Sequence, residues 1–199
     1  MRLACVPLIP VTIALAFQQA NPPDPDREKD VYALYSLMLT NPRTSHGPDN
    51  NPRYLIAATT APGTPSEPCV RPPKDREADF REVLEDFESR KATPRQLKRE
   101  LSIPKPYVLL TPGEVKAFVD ERALGNPTGR SDERFGGVTD LITLTDVYFN
   151  PRRTLALTAI STWCGGLCAY YQWKVFEKLE SGKWEERNWA TCMTMAKLE

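Results

Sequence analysis

The sequence predicts an α+β fold in which helices in the N-terminal two-thirds pack on a C-terminal four-stranded antiparallel meander. Apolar residues recur at helical spacing in the first part of the chain, whereas β-branched and aromatic runs separated by turn residues follow Val138. Because short turns join consecutive runs, we expect antiparallel neighbours. Two further short strands are expected at residues 54–59 and 107–110. The meander strands are expected at residues 141–149, 154–163, 168–179 and 183–193.

Helix starts are marked by capping residues. Asp24, followed by a proline at the first helical position, predicts one helix, and an apolar stripe predicts a second over residues 75–91. Thr111 with Glu114 three residues later is a capping box. Thr93, also followed by proline, predicts a further helix start. The expected core residues are Leu34, Phe80, Leu84, Phe87, Phe118, Leu155, Leu157, Trp173 and Val175.

The N-terminus resembles a secretory signal. Arg2 precedes an apolar stretch that ends in small residues, with Ala14 and Ala16 in an A-x-A arrangement. We expect a signal peptide over residues 1–16, cut as late as residue 20 in the alternative, then a leader over 17–24 and one domain over 25–199. The stretch is short for a membrane span, which needs ~20 apolar residues. The mature chain should therefore be secreted or periplasmic without a transmembrane anchor, although the prolines leave an uncleaved anchor as an alternative.

The charge balance argues against nucleic acid as a partner. The chain has 26 basic and 26 acidic residues and a pI of about 6.6, whereas nucleic-acid-binding domains carry basic patches.

Four cysteines remain after Cys5 leaves with the signal. An even number in an exported chain indicates disulfides, and four cysteines allow three pairings. Cys164 and Cys168 flank an expected hairpin tip, so their pairing leaves Cys69 for Cys192. The second bond would close a loop of order 100 residues, worth ~4–5 kcal/mol in the chain-entropy model. We therefore expect two structural disulfides.

The sequence gives little indication of a redox, metal or catalytic site. The cysteines lack the C-x-x-C helix start of a redox pair and the two knuckles of a zinc site. His46 is the lone histidine and lies in a Pro/Gly-rich loop, where a catalytic role is the minor alternative. Asp140 and Asp146 would share a strand face but stand ~20 Å apart, too far for a glycosidase pair. We expect no catalytic residue, metal or cofactor.

A resemblance covers the last third of the chain. The residues that carry it read V-x-F, A-L, C-G-x-L-C, E-K and G-x-W along the expected strands, at residues 144–150, 154–157, 164–168, 176–178 and 182–184. This pattern resembles secreted bacterial proteins of unknown function. The chain departs from it at Ala169, where the pattern has glycine. The resemblance implies export and a hairpin architecture, and it implies no activity.

The third meander strand has a candidate binding face. Tyr170, Lys174 and Phe176 alternate with Tyr171 and Trp173, which should point to the core. Exposed aromatic side chains bind sugar rings or protein partners. We therefore expect a non-catalytic exported binding or envelope-associated domain whose partner is another envelope protein or a glycan. A secreted carboxylate-dependent hydrolase is the alternative, and a structural envelope protein without a ligand is a third.

Overall fold

The described part of the chain forms three helices and a large mixed sheet. The computed structural model describes residues 24–40, 51–62, 68–123, 135–165, 168–191 and 193–195. The expected signal peptide and leader residues 17–23 lie outside this part. The helices are α1, Pro25–Thr40; α2, Glu77–Arg90, which a 3-10 turn Lys74–Arg76 precedes; and α3, Pro112–Ala123. The strands are β1 Tyr54–Ala57, β2 Val70–Arg71, β3 Tyr107–Leu110, β4 Leu141–Leu144, β5 Tyr148–Phe149, β6 Leu155–Gly165, β7 Cys168–Lys178, β8 Trp184–Arg187, β9 Ala190–Thr191 and β10 Met193–Met195.

The sheet corrects the predicted fold. Its main path runs β10-β7-β6-β4-β1-β3, while β5 pairs with β6 and β8 pairs with β7. β4, β6 and β7 are antiparallel neighbours, as predicted, but β1 is parallel to both β3 and β4. The prediction of a four-stranded antiparallel meander is therefore wrong. The physical reason is that β1 and β3 reach the sheet through long crossover connections, which leave no turn signal in the sequence.

Helices cover both faces of the sheet. On one face α1 contributes Leu34 to an apolar cluster with Ile56, Ile142, Ile160 and Phe176, which come from β1, β4, β6 and β7. The helices therefore do not all pack on one face of the sheet. When both faces of a sheet are covered, the side chains on either side of its central strands are buried.

The opposite face packs aromatic rings from α2 and α3. Phe87 of α2 meets Tyr148 and Trp173 edge-on, with ring centroids 5.0 and 5.6 Å apart. Phe118 of α3 meets Trp163 of β6 at 5.9 Å. Such edge-to-face pairs add to the area that they bury. All the expected core residues are buried except Leu84, which is half-buried.

The predicted caps are confirmed at two helices. Asp24 Oδ1 accepts hydrogen bonds from the N–H groups of Asp26 and Arg27 at the start of α1. At α3, Glu114 Oε2 accepts from the Thr111 N–H at 2.8 Å, and Thr111 Oγ1 accepts from the Glu114 N–H at 3.4 Å. These side chains satisfy donors that a helix start leaves unpaired.

The helix expected after Thr93 is absent, since residues 93–106 are non-helical. The Leu97 N–H donates to the Ala58 carbonyl, and the Thr60 N–H donates to the Arg95 carbonyl. Leu97 is also buried against α1 together with Leu101. Hydrogen bonds and apolar contacts with distant residues thus hold this segment extended, and they outweigh the helix-start signal at Thr93.

Candidate binding groove

An open groove of about 540 Å³ lies between α1 and the extended segment at residues 98–102. One wall is a stripe of α1 in which residues recur at i, i+3, i+4, i+7 and i+8, and the other consists of alternate residues of the extended segment. The lining residues are Pro25, Glu28, Lys29, Tyr32, Ala33, Ser36, Lys98, Glu100 and Ser102.

Hydrogen bonds from α1 side chains fix the second wall. The Lys98 N–H donates to the Tyr32 hydroxyl at 2.6 Å, and the Ser102 N–H donates to Ser36 Oγ at 2.9 Å. Ser36 Oγ in turn donates to the Tyr32 carbonyl. Because both ends of the segment are tied to α1, the groove is shaped in advance, which lowers the cost of ordering on binding.

The segment runs in the same direction as α1 over a matched length. Lys98 pairs with Glu28 at one end, and Ser102 meets Ser36 at the other. Eight residues of helix rise about 12 Å, and four residues of extended chain span about 13 Å. Glu100 therefore lies about one helical turn beyond Lys29.

An ion-pair network centred on the buried Asp146, here called the Asp146 cluster, joins the two walls. It comprises Asp146, Arg90, Arg95, Glu28 and Lys98. The Asp146 side chain is 3% exposed and accepts from Arg90 Nη2 at 2.7 Å and Arg95 Nε at 2.8 Å. Arg95 Nη1 also donates to Glu28 Oε2 at 2.8 Å, and Lys98 Nζ lies 2.9 Å from Glu28 Oε1. The cluster thus connects four parts of the chain: the link between β4 and β5, helix α2, helix α1 and the extended segment.

The cluster keeps its carboxylates ionised. Burial alone would raise the pKa of Asp146, but the charges and hydrogen bonds of Arg95 and Arg90 outweigh it and lower that pKa. The hydrogen bond from Lys98, followed by the charge of Arg95, lowers the pKa of Glu28. Burial raises the pKa of the Tyr35 hydroxyl, which donates to the Thr145 carbonyl next to Asp146.

Two charged residues of the groove, unlike those of the cluster, have no ion-pair partner in the described part of the chain. Lys29 on α1 and Glu100 on the segment are exposed, and neither forms an ion pair with any residue that the structure describes. Between the walls, the Tyr32 ring and the exposed Ala33 supply apolar surface. The groove therefore offers apolar contact together with one unpaired charge of each sign.

A second concavity, here called the acidic crevice, opens beside the start of α1 with a volume of about 500 Å³. Its lining includes four carboxylates. Asp86 accepts from Arg27 Nη2 and from the Phe149 N–H, and Asp24 caps α1 and pairs with Arg153. Glu82 Oε2 is buried without a hydrogen-bond partner in the described part. The carboxylates of the crevice are Asp24, Glu82, Glu85 and Asp86.

The candidate face on β7 does not form one exposed surface. Phe176 is fully buried under α1, and Lys174 is 5% exposed with its Nζ 2.6 Å from Glu186 Oε1. Tyr170 is half-buried. Burial of both faces of the sheet explains the difference. The alternation correctly separated two sets of residues, but it could not show that α1 covers Phe176.

The described cysteine positions bear on the expected pairings without deciding them. In the β6–β7 ladder Gly165 is opposite Cys168 and Trp163 is opposite Ala169, so Cys164 falls at a register irregularity. Cys69 directly precedes β2, whose Val70 pairs with Thr191 of β9. Cys192 lies outside the described residues. Both disulfides remain predictions.

Other expected sites have these outcomes. Asp140 is buried and accepts from Asn51 Nδ2 at 3.0 Å, while Asp146 belongs to the cluster. His46 lies outside the described residues. No group of three or more metal-ligating side chains occurs in the part of the chain that the structure describes. None of the described helices is long and apolar enough to cross a membrane.

No protein family, no curated protein and no solved structure matches the chain. Sequence reasoning missed the groove because it expected a helix after Thr93, which would have removed the extended wall. A partial signal was present: Leu97, Leu101 and Ile103 fall on one side of an extended segment, although Arg99 interrupts that side.

Proposed function

We propose that this protein is an exported, non-catalytic binding domain that takes a partner or ligand into the groove between α1 and residues 98–102. The observation that supports this most is the groove itself, with two fixed walls, apolar surface at Tyr32 and Ala33, and unpaired charges at Lys29 and Glu100. Largely pre-formed clefts with apolar lining and few placed polar groups are typical ligand sites.

Three carboxyl groups near the groove and the crevice are unsuited to the acid step of a hydrolase. A carboxylate hydrolase needs one carboxylic acid with a raised pKa that can donate a proton. Hydrogen bonds from the Arg27 and Asp26 N–H groups lower the pKa of Asp24, and the pKa values of Glu28 and Asp146 are lowered too. These three groups are therefore ionised at neutral pH and are unsuited to act as the acid.

A test of the groove uses a bulky substitution at an exposed position. Ala33→Trp should fill the groove, whereas Ala92→Trp introduces the same side chain at an exposed turn outside it. The probe is a pool of fluorescein-labelled hexapeptides of varied charge, titrated by anisotropy against the mature chain. We expect binding to the native chain and to A92W, and at least tenfold weaker binding to A33W. Equal binding by A33W and A92W, or no binding by the native chain, would contradict the proposal.

The acidic crevice supports the second candidate, a carboxylate hydrolase, because it brings Glu82 and Asp86 together one helical turn apart. The test is turnover of a panel of chromogenic glycosides by the native chain and by Glu82→Gln. A binding domain predicts no turnover by either. Turnover that E82Q abolishes while its fold is retained would favour the hydrolase.

A further inference from the structure

The two unpaired charges of the groove restrict its occupant. Lys29 stands on the helix wall and Glu100 on the facing wall, about one helical turn further along. Both are exposed and unpaired among described residues, while the neighbouring Glu28 and Lys98 pair across the groove with each other. An occupant that bears one negative and one positive group at this spacing would meet both charges.

The shape of the groove favours an extended chain. Its segment wall presents Lys98, Glu100 and Ser102 at alternate positions, which recur every ~6.6–6.8 Å in extended backbone. An extended peptide repeats its same-face side chains at the same interval. The groove length of about 12 Å, from Glu28 to Ser36, spans roughly four such residues.

We infer that the groove binds an extended peptide segment of a protein partner that carries an acidic and a basic side chain two residues apart. The acidic side chain pairs with Lys29 and the basic one with Glu100, while the peptide backbone covers Tyr32 and Ala33. This inference rests on the proposed function, and it adds the class of partner and the charges that are recognised.

The test uses four labelled hexapeptides that differ at two positions only: Glu and Lys, Glu and Glu, Lys and Lys, or Gln and Gln, two residues apart. For the native chain we expect the Glu/Lys peptide to bind about fivefold more tightly than the others, as two partly exposed ion pairs allow. Lys29→Glu makes both unpaired charges acidic and should shift the preference to the Lys/Lys peptide. Glu100→Lys makes both unpaired charges basic and should shift it to the Glu/Glu peptide.

Matched controls are Lys183→Glu and Glu180→Lys, which make the same charge changes at exposed positions outside the groove. They should leave the preference unchanged. Equal affinity for all four peptides, abolished by Ala33→Trp, would overturn the charge inference and leave the proposed function standing. Absence of binding by every peptide would overturn both. Self-association of the chain that A33W abolishes would show a second copy as the occupant, which also overturns the inference.

Discussion

The Asp146 cluster and the groove lie side by side and use charge in opposite ways. In the cluster, Asp146 is 3% exposed and both of its carboxylate oxygens accept from arginines. In the groove, Lys29 and Glu100 are exposed and pair with no described residue. Glu28 belongs to both regions, since it binds Arg95 and Lys98 and also lines the groove. The difference is that the charges of the cluster are paired and join the walls, whereas Lys29 and Glu100 form no ion pair with a described residue.

The largest effect should come from removing the central carboxylate of the cluster. Asp146→Ala leaves the guanidinium groups of Arg90 and Arg95 without their shared partner in a buried site. We expect the free energy of unfolding to fall by about 3–5 kcal/mol, measured by urea denaturation at pH 7.

The control for this prediction is an exposed ion pair. Asp120 on α3 pairs with Lys116, and both side chains are more than half exposed. Asp120→Ala should cost less than about 0.5 kcal/mol. A loss for D146A no larger than that for D120A would show that the cluster does not stabilise the fold.

The second-largest effect should come from low pH, which weakens the cluster. Because the pKa of Asp146 is lower in the folded than in the unfolded chain, its contribution is present above the unfolded pKa and is lost as pH falls through the folded one. Glu28 acts in the same direction. We expect unfolding free energies that are level between pH 7 and 5 and fall progressively below about pH 5. The decrease should be smaller in D146A, and an equal decrease in both chains would contradict the assignment.

A smaller effect is expected at the second wall of the groove. Ser36→Ala removes the buried oxygen that accepts from the Ser102 N–H. We expect a loss of about 1 kcal/mol in unfolding free energy and weaker peptide binding, because the wall is released at one end. Ser89→Ala removes an exposed hydroxyl that donates to the Asp86 carbonyl and should change neither measurement appreciably.

The smallest effect on stability should follow from the unpaired charges. Lys29→Glu and Glu100→Lys alter exposed side chains without ion-pair partners among the described residues. We expect unfolding free energies within about 0.5 kcal/mol of the native chain, although both variants should change the peptide preference. A loss above 1 kcal/mol in either would mean that the charge is used structurally, as in the cluster.

Local signals in the sequence predicted local structure. Asp24 and the Thr111–Glu114 box mark the true starts of α1 and α3, and the short turn before Cys168 correctly predicts the β6–β7 hairpin. In each case the residues that decide the structure are neighbours in the chain, so their chemistry is visible without the fold.

Long-range structure escaped the same reasoning. The pairing of β1 with β3 and β4 joins residues dozens of positions apart, and no local pattern encodes it. Phe176 of the candidate face is buried because α1 covers it, which the sequence did not show. The groove was missed because Leu97 and Leu101 anchor an extended segment where a helix was expected. The Asp146 cluster likewise depends on four segments that meet only in the folded chain.

The most direct test of the account is to map peptide binding residue by residue. The Glu/Lys hexapeptide would be titrated into the ¹⁵N-labelled mature chain while backbone amide shifts are followed by NMR. The account predicts that the largest shifts occur at Lys29, Ala33, Lys98, Glu100 and Ser102. Largest shifts at the acidic crevice, around Glu82, Ser89 and Arg153, or no saturable shifts at all, would contradict it.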